Sequence, residues 1–166
     1  MNELWLLLTL FFGFCLYYML KNKLAIFFPS FSGMIKIIDG FADVEKDDVL
    51  YDLGSGDGRI LRHFAEKGLK CVGIEHNFLL NRISKKKLEV YPNVKIIHGD
   101  IFDQDLSDAT VVIAYLSRIV TKRLQRKIEN ECKKGTRIIL VSYKFSDWNP
   151  IKVRKWLWIP IRLYVI

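Results

Sequence analysis

Cysteine and histidine are scarce in this sequence, and each scarcity removes a class of site. The 166 residues contain three cysteines and three histidines. An odd number of widely separated cysteines, with no Cys-x-x-Cys pair, argues against a disulfide framework and is typical of a reducing compartment. The histidines lack the spacing of zinc ligands, so we expect no metal ion. The scarce residues are Cys15, Cys71, Cys132, His63, His76 and His98.

Charge is absent from residues 4–20, which are almost entirely apolar. As a helix this run would span roughly 25 Å, close to the ~30 Å hydrocarbon core of a bilayer. Lys21 and Lys23 can snorkel beyond it. No basic residue precedes the run and no small-x-small cleavage site follows, which argues against a signal peptide; a buried helix would normally carry a polar stripe. We therefore predict a membrane anchor over residues 1–23.

This anchor sets the expected location and explains the charge. The positive-inside rule places Lys21 and everything after it in the cytosol, so we expect a single-pass membrane protein whose folded domain faces the cytoplasm. The net charge of +8 indicates an anionic neighbour. An anchored domain already lies beside anionic lipid, so we expect the membrane surface to be that neighbour rather than nucleic acid. Basic clusters at residues 85–87 and 118–134 would favour the same contact.

The rest of the chain has the pattern of one α/β domain, with no repeats and no low-complexity segments. A linker and N-terminal helix (residues 24–47) precede apolar runs that alternate with amphipathic helices. This alternation implies right-handed βαβ units. We predict a Rossmann-like, doubly wound, mostly parallel seven-stranded sheet over residues 48–166, with a C-terminal antiparallel hairpin around Pro160 and one transmembrane helix before it. The expected strands are residues 49–53, 70–74, 94–98, 110–114, 137–142, 153–158 and 161–166, and the expected helices 58–67, 78–90 and 117–133.

A glycine-rich turn, D-L-G-S-G-D-G-R at residues 52–59, follows the first predicted strand. Glycine lets the backbone approach a bound nucleoside closely. A dinucleotide fingerprint would need a third glycine where Arg59 stands. The spacing present, G-x-G-x-G with an acid two positions before the first glycine, resembles motif I of class I S-adenosylmethionine (SAM) methyltransferases. In that family the acid lies near the methionine ammonium, which implies this role for Asp52.

Two further strand ends carry groups that suit a nucleoside, and ligands of open α/β sheets lie beyond the carboxyl ends of the strands. Glu75 follows the second strand, about 20 residues after Gly54, where it can accept hydrogen bonds from both ribose hydroxyls. Asp100 follows the third strand and can accept from the adenine amino group while Ile101 packs on the ring. Both acids could instead have a purely structural role. Glu75 could stabilise the N-terminus of the following helix, and Asp100 could cap a turn.

Together these motifs resemble one branch of the seven-strand methyltransferases. The chain is similar to the small protein-lysine methyltransferases of archaea, and to their membrane-anchored relatives that methylate the c subunit of ATP synthase and the adenine nucleotide translocator. The similarity covers about residues 27–148. Its markers are F-F-P-S at 27–30, the glycine motif at 52–60, G-I-E-H-N at 73–77, V-V-I-A-Y-L at 111–116, K-G-T-R-I-I at 134–139 and F-S-D-W at 145–148.

This resemblance implies SAM as the cofactor and a protein lysine as the methyl acceptor. Aromatic side chains would desolvate the lysine amine, whose free pKa is ~10.4, and hold the methylated ammonium by cation–π contact. The implied cofactor-binding residues are Asp52, Gly54, Ser55, Gly56, Asp57, Arg59, Glu75, His76, Asp100, Ile101 and Ala114. The implied acceptor-binding residues are Pro29, Tyr115, Tyr143 and Trp148, with Tyr115 as the catalytic residue.

Departures from the family pattern keep other functions open. Ile26 stands where proline is usual, and Thr110 where an acidic residue is common. In many amino-methylating relatives the fourth strand ends in an acid or amide followed by Pro-Pro-Tyr; Ala114-Tyr115 keeps only the aromatic. The sequence thus predicts a SAM-dependent methyltransferase acting on protein lysines at the membrane. A lipid, small-molecule or RNA acceptor remains an alternative, as does a SAM-binding membrane module without turnover.

Overall fold

A mixed sheet of seven strands forms the centre of the structure, a computed structural model that describes residues 5–11, 13–14 and 30–166. The strands are β1 (Val49–Leu53), β2 (Lys70–Glu75), β3 (Val94–His98), β4 (Val111–Ala114), β5 (Arg137–Val141), β6 (Lys152–Trp156) and β7 (Ile159–Val165). Their order is β3-β2-β1-β4-β5-β7-β6. Strands β1 to β5 are parallel, and β7 is antiparallel to both of its neighbours. The predicted Rossmann-like sheet with a C-terminal hairpin is confirmed.

Helices cover both faces of the sheet because their apolar residues recur at helical spacing. The elements are α1 (Ser32–Ala42), α2 (Arg59–Ala65), α3 (Phe78–Leu88), a 3₁₀ helix (Ile101–Asp103) and α4 (Arg118–Glu131). On one face Met34 and Ile38 of α1 join Phe64 of α2 in a buried cluster. On the other face Leu124 and Ile128 of α4 pack with the second cluster. Apolar burial of this kind is the main stabilising contribution.

The C-terminal hairpin turns at a different place from the one predicted. Strands β6 and β7 are joined at Leu157 and Trp158, and Pro160 lies within β7 opposite Lys155. Proline has no N–H group to donate, but Pro160 lies just outside the β5–β7 pairing, whose last pair is Val141 with Ile161. The pairing with β5 therefore needs no N–H group at position 160. The Pro160 carbonyl still accepts from the Ser142 N–H at 2.9 Å.

Thr110 ties together the amino ends of three strands, which accounts for a hydroxyl where relatives have an acid. Its hydroxyl donates to Asp48 at 2.6 Å and accepts from the Val49 N–H at 2.9 Å. Arg137 pairs with the same Asp48 carboxylate and donates to the Ala42 carbonyl at 2.7 Å. Burial acts to raise the pKa of Asp48, but these hydrogen bonds outweigh it and lower the pKa. An acid at position 110 would face Asp48 with like charge.

The predicted anchor, residues 1–23, lies largely outside the described residues, as does Pro29. Residues 5–11 and 13–14 are helical, and their side chains are exposed. In the part of the chain that the structure describes, no helix combines the length and apolar character needed to cross a bilayer. The anchor and its orientation therefore stay predictions.

Candidate active site

The glycine turn lies where the carboxyl ends of β1 and β2 meet. The Gly54 and Ser55 N–H groups both donate to the Ile74 carbonyl, at 2.9 and 3.1 Å. Gly54, Gly56 and Gly58 have φ values of 81°, 56° and 82°, in the left-handed region that favours glycine. A Cβ at Gly54 would also lie 3.0 Å from the Leu116 side chain. The turn therefore needs glycine for its own conformation.

Glu75 links this turn to two neighbouring elements. One carboxylate oxygen accepts from the Gly56 N–H at 2.8 Å and the other from the Asn77 N–H at 2.7 Å. Its carbonyl accepts from the Gly99 N–H, just beyond β3, at 3.2 Å. Glu75 thus has the structural role that the sequence left open. Because a carboxylate offers about four lone-pair sites, these bonds leave capacity for the predicted ribose contact.

Asp52 is buried beside the turn, and its Oδ2 atom has no hydrogen-bond partner. Burial, and then the negative charges of Glu75 and Asp57, raise the pKa of Asp52 to about 8. A buried, unpaired carboxylate oxygen is unfavourable unless a ligand supplies a donor or a cation. The Ser55 hydroxyl is buried without a partner as well. Both atoms suit a ligand that carries an ammonium group, as SAM does.

Asp57 and Arg59 are bound to each other within the motif. The Arg59 Nε donates to Asp57 Oδ1 at 2.9 Å, and Lys87 of α3 approaches Oδ2 at 2.8 Å. Burial acts to raise the pKa of Asp57, but hydrogen bonds from Arg59 and Lys87 lower it to about 2. Arg59 also donates to the Ser30 carbonyl at 3.3 Å. These two side chains hold the turn against α1 and α3, and their predicted cofactor contact stays a prediction.

The end of β3 and the start of α3 form the side of the site predicted to bind adenosine. Asp100 is exposed and accepts from the Phe102 N–H at 2.9 Å, so it caps the 3₁₀ helix, while Ile101 is buried. His76 is exposed, and its carbonyl oxygen lies 3.0 Å from His98 Nε2. Ala114 lies at the end of β4, on the other side of β1 from β2, and is paired with Leu53 of β1. The structure brings all of these predicted positions to one edge of the sheet.

Two of the predicted acceptor residues lie close together, and a third lies elsewhere. Tyr115 and Tyr143 follow the ends of β4 and β5, and burial followed by the nearness of Tyr143 raises the pKa of Tyr115. Trp148 instead packs against Phe145 and Tyr164, with ring centroids 5.1 and 6.4 Å away. Tyr164 pairs with Ile138 near the start of β5, so Trp148 lies toward the opposite edge of the sheet. Phe145 is fully buried and belongs to the core on that face of the sheet.

Sequence reasoning missed two residues, one next to the turn and one on the inward face of α3. Leu116 lies over Gly54, and its Cδ2 atom would be 3.0 Å from a Cβ at that position, a tight contact. Asn81 of α3 is buried, and its amide nitrogen has no hydrogen-bond partner. A signal for Asn81 was present: it shares the inward helical spacing of Ser84 and Leu88, where a polar amide is unusual.

A glycine turn after β1, an acid ending β2 and a buried unpaired carboxylate define a nucleoside-binding site at the edge where Rossmann-like sheets bind ligands. The fold and site are those of a class I SAM-dependent methyltransferase. Residues 52–152 match the family described as the ANTKMT methyltransferase domain. The chain belongs to this family.

Relatives of known function and structure agree with this class. A protein-lysine N-methyltransferase from Saccharolobus islandicus is 39% identical over 121 residues, 69% of this chain and 74% of that protein. The human lysine N-methyltransferase named for the C subunit of ATP synthase is 31% identical over 104 residues; the match covers 61% of this chain and 45% of the human protein. An RNA methyltransferase from Salinibacter ruber, solved with S-adenosyl-L-homocysteine, superposes with a TM-score of 0.80 at 31% identity, covering 84% of this chain and 94% of that one.

This chain is therefore a methyltransferase and its cofactor is SAM, as the glycine motif and the acids at the strand ends predicted. Within residues 5–11, 13–14 and 30–166, no group of three or more His, Cys, Asp or Glu side chains is arranged to hold a metal ion.

We expect Gly56→Val and Glu75→Ala each to weaken SAM binding. Valine at a φ of 56° is strained and adds bulk where the backbone approaches the cofactor. Alanine at position 75 removes the predicted acceptor for the ribose hydroxyls, a loss of about 1.5–3 kcal/mol, or roughly 10- to 150-fold in Kd. It also removes the acceptor for the Gly56 and Asn77 N–H groups, so this loss is a lower bound. Isothermal titration calorimetry on folded variants measures both effects.

Matched controls separate these losses from general damage. Gly68 also has a positive φ, of 83°, but lies at the far end of α2 with open space around it, so Gly68→Val strains the backbone away from the site. Glu89→Ala removes an exposed carboxylate at the end of α3. Both controls should bind SAM like the wild type. Wild-type affinity in Gly56→Val and Glu75→Ala would mean that the cofactor lies elsewhere.

Asp52→Asn should stabilise the free protein and weaken cofactor binding. With a pKa of about 8, Asp52 keeps its proton in the folded state up to that pH, whereas the unfolded chain loses it near pH 4. The contribution of Asp52 to the free energy of unfolding therefore falls as pH rises from about 4 to 8. Asparagine cannot ionise and should add about 1–3 kcal/mol at pH 8.

Urea unfolding at pH 5 and pH 8, without cofactor, measures this difference. The wild type should lose more stability than Asp52→Asn between the two pH values, and calorimetry should show weaker SAM binding by the variant. If the free energy of unfolding changed equally with pH in the two proteins, Asp52 would be ionised at both pH values and its charge balanced by another group of the protein.

Proposed function

We propose that this enzyme methylates lysine side chains of proteins. The observation that carries the proposal is the pair Tyr115 and Tyr143, which follow the ends of β4 and β5 beside the glycine turn. Aromatic groups at this edge suit an amine that must lose its proton before the transfer and gains methyl groups afterwards. The archaeal relative and the human relative are both lysine methyltransferases by name, which supports the same acceptor.

The residues of the site would act mainly by positioning. SAM supplies a methyl group on a sulfonium, a leaving group that needs no further activation. Asp52 would hold the cofactor ammonium and Glu75 the ribose, so that the methyl group faces Tyr115. The Tyr115 ring would align the acceptor amine with the methyl group and exclude water from it. Holding the reactants in line can supply most of the acceleration of such a displacement.

A second candidate is methyl transfer to RNA. It is favoured by the Salinibacter ruber structure, which is named an RNA methyltransferase and is covered over 94% of its length at 31% identity. The net charge of +8 would also suit a phosphate backbone. We place it second because two curated relatives, matched over more than 100 residues at 39% and 31% identity, are lysine methyltransferases by name.

The acceptor is identified by incubating cells' membrane, soluble-protein and RNA fractions with the purified full chain and SAM labelled in the methyl group. We expect label in protein, released on hydrolysis as methylated lysine. Label confined to RNA would replace the lysine proposal by the RNA candidate. Label confined to lipid would overturn both, and cofactor binding without any labelled product would indicate a SAM-binding module without turnover.

Tyr115→Ala should lower kcat sharply and leave SAM affinity nearly unchanged. This pattern is expected because Tyr115 would contact the acceptor in the transition state rather than the cofactor. Tyr115→Phe distinguishes two roles: it keeps most activity if the ring face matters, and behaves like alanine if the hydroxyl is needed. Steady-state kinetics and calorimetry on both variants decide. A parallel loss of SAM affinity would place Tyr115 against the cofactor or in the fold.

We further propose that residues 1–23 anchor the enzyme in a membrane with the catalytic domain on the cytosolic side. The apolar, uncharged run at residues 4–20, followed by Lys21 and Lys23, supports this. Deleting residues 1–23 should leave a folded domain that binds SAM, because the sheet and its covering helices all lie after residue 30. Circular dichroism, calorimetry and flotation with vesicles measure fold, binding and attachment. A deletion variant that fails to fold would make the run a core helix.

A further inference from the structure

Six exposed apolar side chains surround the edge of the sheet that holds the active site. They come from three separate places: the first turn of α3, the residues around the ends of β4 and β5, and the β6–β7 turn. Two of them, Ile119 and Trp158, are 85% and 77% exposed. We name this set the apolar rim; it consists of Phe78, Leu79, Ile119, Tyr143, Leu157 and Trp158.

The topology puts the rim residues on one side of the domain. Phe78 and Leu79 begin the helix that follows β2, and Ile119 lies in the first turn of the helix that follows β4. Tyr143 comes two residues after β5. Because β7 is antiparallel to β5 and pairs Ile161 with Val141, the turn before β7 extends beyond the same carboxyl end. Loops at one sheet edge that each present an apolar side chain suit a flat, apolar surface.

Basic side chains lie between these apolar side chains. The Arg82 guanidinium lies over the Phe78 ring, with 5.6 Å from its central carbon to the ring centroid. Arg118 directly precedes Ile119, Lys144 directly follows Tyr143, and Lys155 is two residues before Leu157; all four cations are exposed. Apolar groups interspersed with Lys and Arg are the composition that binds anionic lipid, at about 1 kcal/mol per basic residue near the surface.

The opposite edge of the sheet carries charges of both signs, as the active-site edge does. Asp43, Glu45 and Asp47 lie between α1 and β1, and Asp105 and Asp108 lie between the 3₁₀ helix and β4. These connections lead into the amino ends of their strands. Basic side chains adjoin these acids, and the active-site edge carries acids of its own, so the exposed cations of the rim, rather than a charge difference between the edges, favour anionic lipid.

The chain also enters the domain at the rim side. Ser30 is the first residue that the structure describes after Phe14, and its carbonyl accepts from Arg59 at the start of α2, next to the glycine turn. In sequence, the uncharged run of residues 4–20 precedes this point. The point where the described domain begins therefore lies on the rim side.

We propose that the apolar rim docks the active-site edge of the domain on an anionic lipid surface. Docking goes beyond the proposed function, because it requires neither a lysine acceptor nor the N-terminal span. It has a consequence for that function: the site would open toward the bilayer, so acceptors would present their amine at the headgroup level rather than in free solution.

Trp158 reports the contact directly. The full chain, without SAM or acceptor, is mixed with vesicles of phosphatidylserine and brominated phosphatidylcholine, whose bromine quenches tryptophan that enters the acyl region. Trp158→Phe should clearly lower the quenched fluorescence, by about half where Trp158 is quenched as strongly as Trp5, the other tryptophan expected to touch lipid. Trp148→Phe is the matched control at the opposite edge and should leave the quenching unchanged. Equal quenching in both variants and the wild type would overturn the proposal.

Affinity for vesicles gives a second, independent readout. Ile119→Ser should weaken sedimentation with phosphatidylserine vesicles several-fold, whereas Val90→Ser, an exposed aliphatic residue after the end of α3, should have no effect. Omitting phosphatidylserine should abolish the difference between them. Equal affinities of both variants on anionic vesicles would overturn the proposal and leave the rim as a surface for a protein partner. Neither assay involves methyl transfer, so their failure would not affect the proposed acceptor.

Discussion

The Glu75 carboxylate is the interaction on which the active-site edge depends. Its two oxygens accept from the N–H groups of Gly56 and Asn77, so one side chain fixes the glycine turn and the first turn of α3. The carbonyl of the same residue accepts from Gly99 and joins the end of β3. Three loops that follow three strands are thus held by one residue. A ligand that contacts Glu75 meets a site whose backbone is already positioned.

Asp52 shows that the free site carries a cost in stability. Its burial and the neighbouring charges of Glu75 and Asp57 raise its pKa to about 8, and its Oδ2 atom has no partner. The backbone pairing of β1 with β2 and β4 does not depend on the side chain at position 52. An acid at this position suits the ammonium group of SAM. A buried polar group without a partner lowers the stability of the free protein, so its presence indicates a binding site.

Much of this could be predicted from the sequence because the pattern signals were local. Apolar runs and glycine spacing predicted the parallel strands, the turn and the strand-end acids. The hairpin was misplaced because Pro160 is a turn signal in isolation, and only the last β5–β7 pair at Ile161 shows why proline is tolerated. Trp148 was placed at the wrong edge since the segment after β5 runs back along α4, where the Ser146 N–H donates to Gln125. Such long-range packing leaves no periodic signal.

The two edges of the sheet have different roles: the amino-end edge stabilises the fold, and the carboxyl-end edge carries the active site. At the amino ends, Asp48 is hydrogen-bonded to Thr110 and paired with Arg137; burial acts to raise the pKa of Asp48, but these contacts lower it. At the carboxyl ends, Asp52 is unpaired and apolar side chains such as Trp158 are exposed. Unsatisfied groups at one edge are stable only because the rest of the domain is well paired. The same edge holds the cofactor site and, by our proposal, the surface that meets lipid, which would let a membrane determine which amines reach Tyr115.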